Sequence, residues 1–139
     1  DQFEERLYQR NLIEVALFRN TLISLPTGLG KTFIAAVVMH NFYRWFPDGL
    51  VVFMAPTRPL VSQQVQACHQ VCSFPEEHVA NLQGTTSPKK RKEYWNSARI
   101  VYCTPHILAN DLEKKTFDAR RIVCIVIDEA HKTTGSYPY

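Results

Sequence analysis

The chain has 139 residues, of which 45% are hydrophobic and 21% are charged; this composition is typical of one globular domain with its own core. Its 16 basic and 13 acidic residues leave a net charge of +3, which is too small to indicate nucleic-acid binding by itself. No apolar run approaches the roughly 20 residues of a membrane span, and from the charged N-terminal segment we expect no secretory signal.

Short β-rich runs alternate with helical patterns along the chain. Strands are predicted at 20–25, 50–55, 78–83, 99–104 and 121–128. Helices are predicted at 31–46, 59–72 and 105–114. A further helix follows Ser87, which can cap it, with Pro88 at the first helical position. The last two strands are continuously apolar, which indicates burial on both faces, as in a parallel sheet. The sequence therefore predicts a three-layer α/β domain with a mainly parallel central sheet.

The four cysteines are predicted to be free thiols in a reducing compartment. Cys68 and Cys72 are one helical turn apart, with His69 beside them, which raises the question of a zinc site. A structural zinc site needs four ligands, and no second Cys or His pair completes the set. Cys103 and Cys124 lie in apolar runs and are predicted to be buried.

The segment LPTGLGKTF, residues 25–33, has the ending of a phosphate-binding loop between a predicted strand and a predicted helix. Glycines at 28 and 30 let the backbone curl so that its N–H groups point at phosphate oxygens, and the positive end of the helix adds to that field. Lys31 can reach the β- and γ-phosphates, and the Thr32 hydroxyl can bind Mg²⁺. The residues predicted to bind ATP here are Leu25, Pro26, Thr27, Gly28, Leu29, Gly30, Lys31 and Thr32.

A second motif, VIDEAH, occupies residues 126–131. Asp128 follows an apolar strand, so its carboxylate emerges at the carboxyl end of the sheet, where α/β folds bind ligands. It can hold Mg²⁺ directly or through water, and Glu129 is placed to orient and deprotonate the attacking water. The predicted catalytic residues are therefore Lys31, Asp128 and Glu129, with ATP and Mg²⁺ as cofactors. The Asn-Lys-x-Asp element that reads guanine is absent from the sequence.

Together these motifs resemble those of the superfamily 2 helicases and translocases, which have a P-loop, RecA-like fold. LPTGLGKT is similar to their motif I, in which the first position is often not glycine, and VIDEAH to a DEAH-type motif II. The resemblance implies that His131 couples hydrolysis to movement. APTRPLVSQQ (55–64) resembles motif Ia and TPHIL (104–108) resembles motif Ib; taken alone, either could be an ordinary strand-to-helix turn. The residues implied to contact the nucleic-acid backbone are Pro56, Thr57, Arg58, Gly84, Thr85, Thr104 and Pro105.

Near the N-terminus, RLYQ resembles the upstream element that reads adenine in these enzymes. The amide of Gln9 can pair with both the donor and the acceptor edge of the base. The alternative is a polar residue on an amphipathic helix.

Within the superfamily, PTGLGKTFIAAVVM, FYRWFP, VVFMAPTRPLV and VIDEAHK are most similar to the FANCM/Hef family of DNA repair translocases. The resemblance covers nearly the whole chain. It implies that residues 1–139 form the first RecA-like domain of a larger protein, without the second RecA-like domain and its arginine fingers. The isolated chain is then expected to be nearly inactive.

The family resemblance implies a nuclear, ATP-driven enzyme that remodels branched DNA such as stalled forks. The expected partners are DNA, the second RecA-like domain in the same protein, and repair proteins that bind through absent regions; no membrane partner is expected. Two alternatives remain. The first is an RNA helicase motor, since contacts to the backbone distinguish DNA from RNA poorly. The second is a nucleotide-binding interaction module without turnover of its own.

The basic run SPKKRK, residues 87–92, opposes the dipole of the helix that it begins, so local helix stability does not explain it. Its cations could bind DNA phosphates, bind import receptors or be solvated. The aromatic residues Trp45, Phe46, Tyr94 and Trp95 are predicted to pack in the core or on domain surfaces rather than to stack on bases.

Overall fold

The computed structural model describes residues 30–128. The helices are α1 (Lys31–Trp45), α2 (Arg58–Val71), α3 (Pro88–Ser97) and α4 (Pro105–Glu113). The strands are β1 (Leu50–Met54), β2 (Val79–Asn81), β3 (Ile100–Cys103) and β4 (Ile122–Ile127). Short 3₁₀ helices precede β2 (Glu76–His78) and β4 (Ala119–Arg121). The strand predicted at 20–25 lies outside the described residues.

The sequence predicted most element ends to within about two residues, a normal margin for such boundaries. The largest difference is at β2, where the prediction of 78–83 exceeds the three-residue strand by three residues: residue 78 belongs to a 3₁₀ helix, and residues 82 and 83 lie beyond the end of the strand. Ser87 caps α3 as predicted: its Oγ accepts a hydrogen bond from the Lys90 N–H at 3.2 Å.

The four strands form one sheet in the order β2-β3-β1-β4, and every pairing is parallel. In the middle of the sheet, Val52 of β1 lies opposite Val101 of β3 and Ile125 of β4. Each pair of consecutive strands is joined by a helical connection, as parallel strands require. The predicted parallel sheet is confirmed.

Two apolar layers cover the two faces of this sheet. Along β1 the side chains alternate: Leu50 and Val52 belong to one buried cluster with Trp95 of α3 and Leu108 of α4. Val51 and Phe53 belong to the opposite cluster, together with residues of α1 and α2. This alternation is the period-2 geometry of a strand. The predicted three-layer α/β architecture is therefore confirmed.

The prediction of burial on both faces, made for the last two strands, holds for β3 but is wrong for β4. Every residue of β1 and β3 is buried, whereas Ile125 of β4 is 48% exposed. Cys124, which we predicted to be buried, is half-buried. The physical reason is position: within residues 30–128, β4 is an outer strand that pairs with β1 alone.

All four cysteines are free thiols. Burial raises the pKa of Cys68 and of Cys124 to about 11, and that of Cys103 to about 12. Burial also raises the pKa of Cys72, which is half-buried. Metal binding and nucleophilic attack both need the thiolate, so these environments disfavour both.

The aromatic residues divide between core and surface. Trp95 is fully buried and stacks on Phe117 with ring centroids 4.4 Å apart. Trp45 and Phe46 are each 45% exposed at the end of α1, and Tyr94 is 36% exposed. Within the described residues, no helix combines the length and the apolar character that are needed to cross a bilayer.

Arg99 fixes the direction of α1 relative to the sheet. It lies just before β3, and its guanidinium donates to the carbonyls of Tyr43 and Phe46 at 2.6 and 2.8 Å, at the last turn of α1. It also donates to the carbonyl of Gly49, just before β1, at 2.9 Å. The C-terminal end of α1 therefore lies at the amino edge of the sheet, and its N-terminal end faces the carboxyl edge.

Candidate functional site

The residues that follow the four strands lie side by side at the carboxyl edge of the sheet. The Asp128 N–H donates to the Met54 carbonyl at 2.9 Å, and the Ala55 N–H donates to the Cys103 carbonyl at 3.3 Å. On the other side of β3, the Leu82 N–H donates to the Tyr102 carbonyl at 2.9 Å. These contacts gather segments that are far apart in sequence into one edge, which is where parallel α/β sheets bind ligands.

Helix α1 begins at this same edge in a conformation that suits an anion. Gly30, its N-cap, has φ 84° and ψ 25°, in the left-handed region that favours glycine. Within residues 30–128, the N-cap makes no side-chain cap hydrogen bond, and the first N–H groups of a helix have no partner within the helix itself. Lys31, the first helical residue, is exposed. A helix start of this kind is suited to phosphate oxygens.

Thr32 makes a contact that the sequence did not predict. Its Oγ1 donates a hydrogen bond to Oε1 of Gln64 at 3.1 Å. Gln64 lies on α2, and both side chains are half-buried. The predicted magnesium ligand of α1 is thereby hydrogen-bonded to the last residue of motif Ia, which lies on α2.

The segments implied to contact a nucleic-acid backbone also lie at this edge. Thr57 and Thr104 are the N-caps of α2 and α4, and neither helix has a side-chain cap hydrogen bond. The exposed Arg58 donates from Nη2 to Gln83 Oε1 at 2.8 Å, so motif Ia contacts the residue just before Gly84. The starts of α2 and α4 and the side chain of Arg58 therefore all lie at the carboxyl edge of the sheet.

The seven predicted backbone-contact residues differ in exposure. Thr57, Arg58, Gly84 and Thr85 are exposed and Thr104 is half-buried, whereas Pro56 and Pro105 are buried. The two buried prolines shape the turns between strand and helix. Of the other predicted site residues, Gln9, Leu25, Pro26, Thr27, Gly28, Leu29, Glu129 and His131 lie outside the described residues.

One cation of the basic run has a different role from any of those we considered. Arg91 is 7% exposed, and its Nε and Nη2 donate to the two carboxylate oxygens of Asp111, each at 3.0 Å. Its Nη1 donates to the carbonyl of Thr86 at 2.9 Å. The prediction for Arg91 is therefore wrong: it neither is solvated nor faces DNA, because a buried carboxylate of α4 satisfies its charge. Lys89, Lys90 and Lys92 are exposed.

Asp111 accepts two further hydrogen bonds, from Trp95 Nε1 at 2.7 Å and from Asn110 Nδ2 at 3.1 Å. Burial by itself would raise the pKa of this carboxyl, but the hydrogen bonds from Arg91 and Trp95 outweigh it and hold the pKa below its usual value. The network fixes the loop at Thr86, next to Gly84 and Thr85, relative to α4.

Sequence reasoning missed Gln64, Gln83 and Asp111. A signal for Arg91 was present, because Arg91 and Trp95 are four residues apart and share a helix face. A cation on the same face as a buried Trp is expected to have a buried partner. Gln64, between Gln63 and Val65, was not distinguished in this way from the other glutamines of the same segment.

Comparison with known proteins identifies the family of this chain. A sequence profile for "DEAD/DEAH box helicase" matches residues 6–137. Over 96% of the chain, identity is 55% to the Fanconi anemia group M protein homolog of Mus musculus and 52% to the DEAD-box ATP-dependent RNA helicase FANCM of Arabidopsis thaliana. Identity is 50% over the same share to the ATP-dependent DNA helicase fml1 of Schizosaccharomyces pombe.

The chain spans only 7%, 10% and 16% of these three proteins, respectively. Among solved structures, the Hef helicase domain of Pyrococcus furiosus superposes with a TM-score of 0.89 at 36% identity. That match covers 97% of this chain and 29% of the Hef chain. The predicted similarity to the FANCM/Hef group and the predicted RecA-like fold are confirmed.

Proposed function

The chain belongs to the DEAD/DEAH box helicase family, and on that premise we propose that it is the ATP-binding half of an ATP-dependent DNA helicase or translocase. In this proposal, residues 1–139 are the first RecA-like domain of a longer protein, and a second RecA-like domain completes the ATP site. The proposed task of the whole enzyme is to remodel branched DNA, such as stalled forks, during DNA repair.

One observation carries the proposal: the start of α1, Asp128 and the starts of α2 and α4 all lie at one edge of the sheet. The carboxyl ends of β1, β3 and β4 are joined there by main-chain hydrogen bonds, and Arg99 orients α1 so that its N-terminus faces the same edge. A nucleotide bound at α1 and a nucleic-acid backbone bound at α2 and α4 would therefore lie on one face of the domain.

The residues present fit ATP and Mg²⁺. The N-terminal end of α1 can receive phosphate oxygens, and the Lys31 ammonium would compensate their charge. Thr32 and Asp128 supply the hard oxygen ligands that Mg²⁺ prefers. When bound, the ion would neutralise charge that develops on the phosphates. Glu129, next to Asp128, is proposed to orient the attacking water and take its proton, and Gln9 to read the adenine.

Nucleic acid is proposed to bind through its backbone, independently of sequence. The N-terminal ends of α2 and α4 can accept phosphate groups, and Arg58 and Thr57 are exposed beside the first of them. Gly84 and Thr85 extend this surface next to Gln83, which Arg58 contacts at 2.8 Å. His131 is proposed to couple hydrolysis to movement along the strand.

For the whole protein we propose a nuclear location and repair proteins as partners, through regions beyond this chain. The relatives support DNA as the substrate, since the fission yeast protein is named an ATP-dependent DNA helicase. A second candidate, RNA, is supported by the name of the Arabidopsis relative, an ATP-dependent RNA helicase. ATPase stimulation of the intact protein by forked DNA, single-stranded DNA and RNA distinguishes the two.

The nucleotide assignment is tested with Lys31→Ala. Because charge-assisted contacts are the strong ones, removing this ammonium should nearly abolish ATP binding and DNA-stimulated hydrolysis while the fold is retained. Titration of the intact protein with a fluorescent ATP analogue measures the affinity, and circular dichroism confirms folding. Undiminished affinity in a folded Lys31→Ala variant would contradict the proposal.

A further inference from the structure

Gln64 contacts the predicted magnesium ligand, although the motif comparison places it in a segment associated with nucleic acid. It lies on the face of α2 that packs against α1, and its Oε1 accepts the hydrogen bond from Thr32 Oγ1 at 3.1 Å. The polar neighbours Ser62, Gln63 and Gln66 are exposed, whereas Gln64 is half-buried. The hydrogen bond joins residues 32 positions apart on two different helices.

The direction of this hydrogen bond matters for metal binding. A threonine hydroxyl has one proton to donate and two lone pairs to offer. When the proton points at Gln64, the lone pairs point away from α2 and are available to a cation. Without an acceptor at this position, the hydroxyl can rotate, or donate its proton to the main chain as threonines in helices do. A rotated hydroxyl presents its proton, rather than a lone pair, to the metal.

We propose that Gln64 is a positioning residue for Mg²⁺, which acts by holding the Thr32 hydroxyl with its lone pairs toward the metal. The inference rests on the proposed function, because it takes Thr32 to be a ligand of the ion in the ATP site. Removing a residue that hydrogen-bonds to a metal ligand typically lowers metal affinity or activity by about 10–100-fold. Since Mg²⁺ keeps several waters and phosphate oxygens in such sites, we expect the lower end, about 10-fold.

The test is a Mg²⁺ titration of the intact protein with a fluorescent ADP analogue bound, with the concentration at half-saturation as the readout. Gln64→Leu removes the acceptor at similar volume and should raise this concentration about 10-fold. Gln64→Glu keeps an acceptor oxygen and should restore tight binding. Gln63→Leu is the matched control, the same change on an exposed neighbour, and should match the wild type.

The same variants are compared in EDTA, where the metal cannot contribute. There the affinity for the ADP analogue should be equal in Gln64→Leu and in the wild type, since Lys31 and the start of α1 do not depend on this hydrogen bond. If leucine disturbs folding, Gln64→Asn, which is too short to reach Thr32, replaces it and should give the same shift.

The outcomes separate the two proposals. A shift in Mg²⁺ dependence that glutamate reverses supports the role of Gln64. That role is overturned if Gln64→Leu leaves the half-saturating Mg²⁺ concentration unchanged, or if it lowers the affinity for the ADP analogue equally with and without Mg²⁺. Neither result would contradict the proposed ATP site. A wild-type protein that binds no nucleotide overturns the proposed function and this inference together.

Discussion

Replacing Asp111 by asparagine should destabilise the fold strongly, because it leaves a buried cation without its counter-charge. Asp111 and Arg91 are 2% and 7% exposed, and the carboxylate accepts four hydrogen bonds, two from Arg91 and one each from Trp95 and Asn110. An asparagine has one acceptor oxygen. Its NH₂ group would replace the other carboxylate oxygen and would face two of the four donors. At least two of these hydrogen bonds would therefore become donor-to-donor contacts.

Removing one partner of a buried ion pair typically costs about 3–5 kcal/mol. With a urea m-value of about 2 kcal/mol per molar for a domain of this size, the unfolding midpoint should fall by about 2 M. Fluorescence is a suitable signal: the chain has two tryptophans, and Trp95 is fully buried whereas Trp45 is 45% exposed. Urea unfolding of the 139-residue chain, followed by tryptophan emission, gives the difference in free energy.

Asp118→Asn is the matched control. Asp118 also pairs with an arginine, Arg120, at 3.0 Å, but this pair lies on the surface. Because exposed ion pairs contribute little to stability, the control should leave the midpoint nearly unchanged. Equal effects of the two substitutions would refute the reasoning that burial of the ion pair determines its importance.

The same pair predicts a pH dependence. The folded-state pKa of Asp111 is held below its usual value, which is about 3.9 in an unfolded chain. Its contribution to stability is therefore present above about pH 4 and is lost as the pH falls through the folded-state pKa. The difference in stability between the wild type and Asp111→Asn should stay constant from pH 7 to about pH 5 and narrow below pH 4. A difference in stability that increases below about pH 4 would contradict the predicted direction of this pH dependence.

Two further substitutions test other parts of the structure. Glu129→Gln keeps the shape of the side chain but cannot accept a proton, so the intact protein should bind ATP·Mg²⁺ and DNA yet hydrolyse ATP at least about 100-fold more slowly; a steady-state rate near that of the wild type would remove Glu129 from its role. Gly49→Ala places a Cβ 2.7 Å from Val123 Cγ1 and 2.9 Å from Phe46 Cβ, so urea unfolding should show that the free energy of unfolding falls by about 1–3 kcal/mol. Gly84→Ala is the control: nothing lies within 4 Å of its added Cβ, so its free energy of unfolding should hardly change.

The sequence alone determined the local structure and the placement of the motifs. Hydrophobic periodicity and the capping residue Ser87 predicted the four helices and four strands described here, because these signals lie within a few residues of one another along the chain. The continuous apolar strands predicted a parallel sheet, and parallel strands bring their carboxyl ends to one edge. The positions of Thr57, Thr104 and Asp128 at that edge could therefore be predicted before any coordinates were known.

Only the tertiary structure decided which polar side chains contact each other. In the sequence, Arg91 looks like the lysines beside it, and Gln64 looks like Gln63. Their partners, Asp111 and Thr32, are 20 and 32 residues away, on helices whose relative positions depend on how the whole sheet is covered. The exposure of Ile125 depends in the same way on which strand lies at the outside of the described sheet. Local patterns determine where a helix or strand forms, but pairing between elements depends on packing over the whole domain.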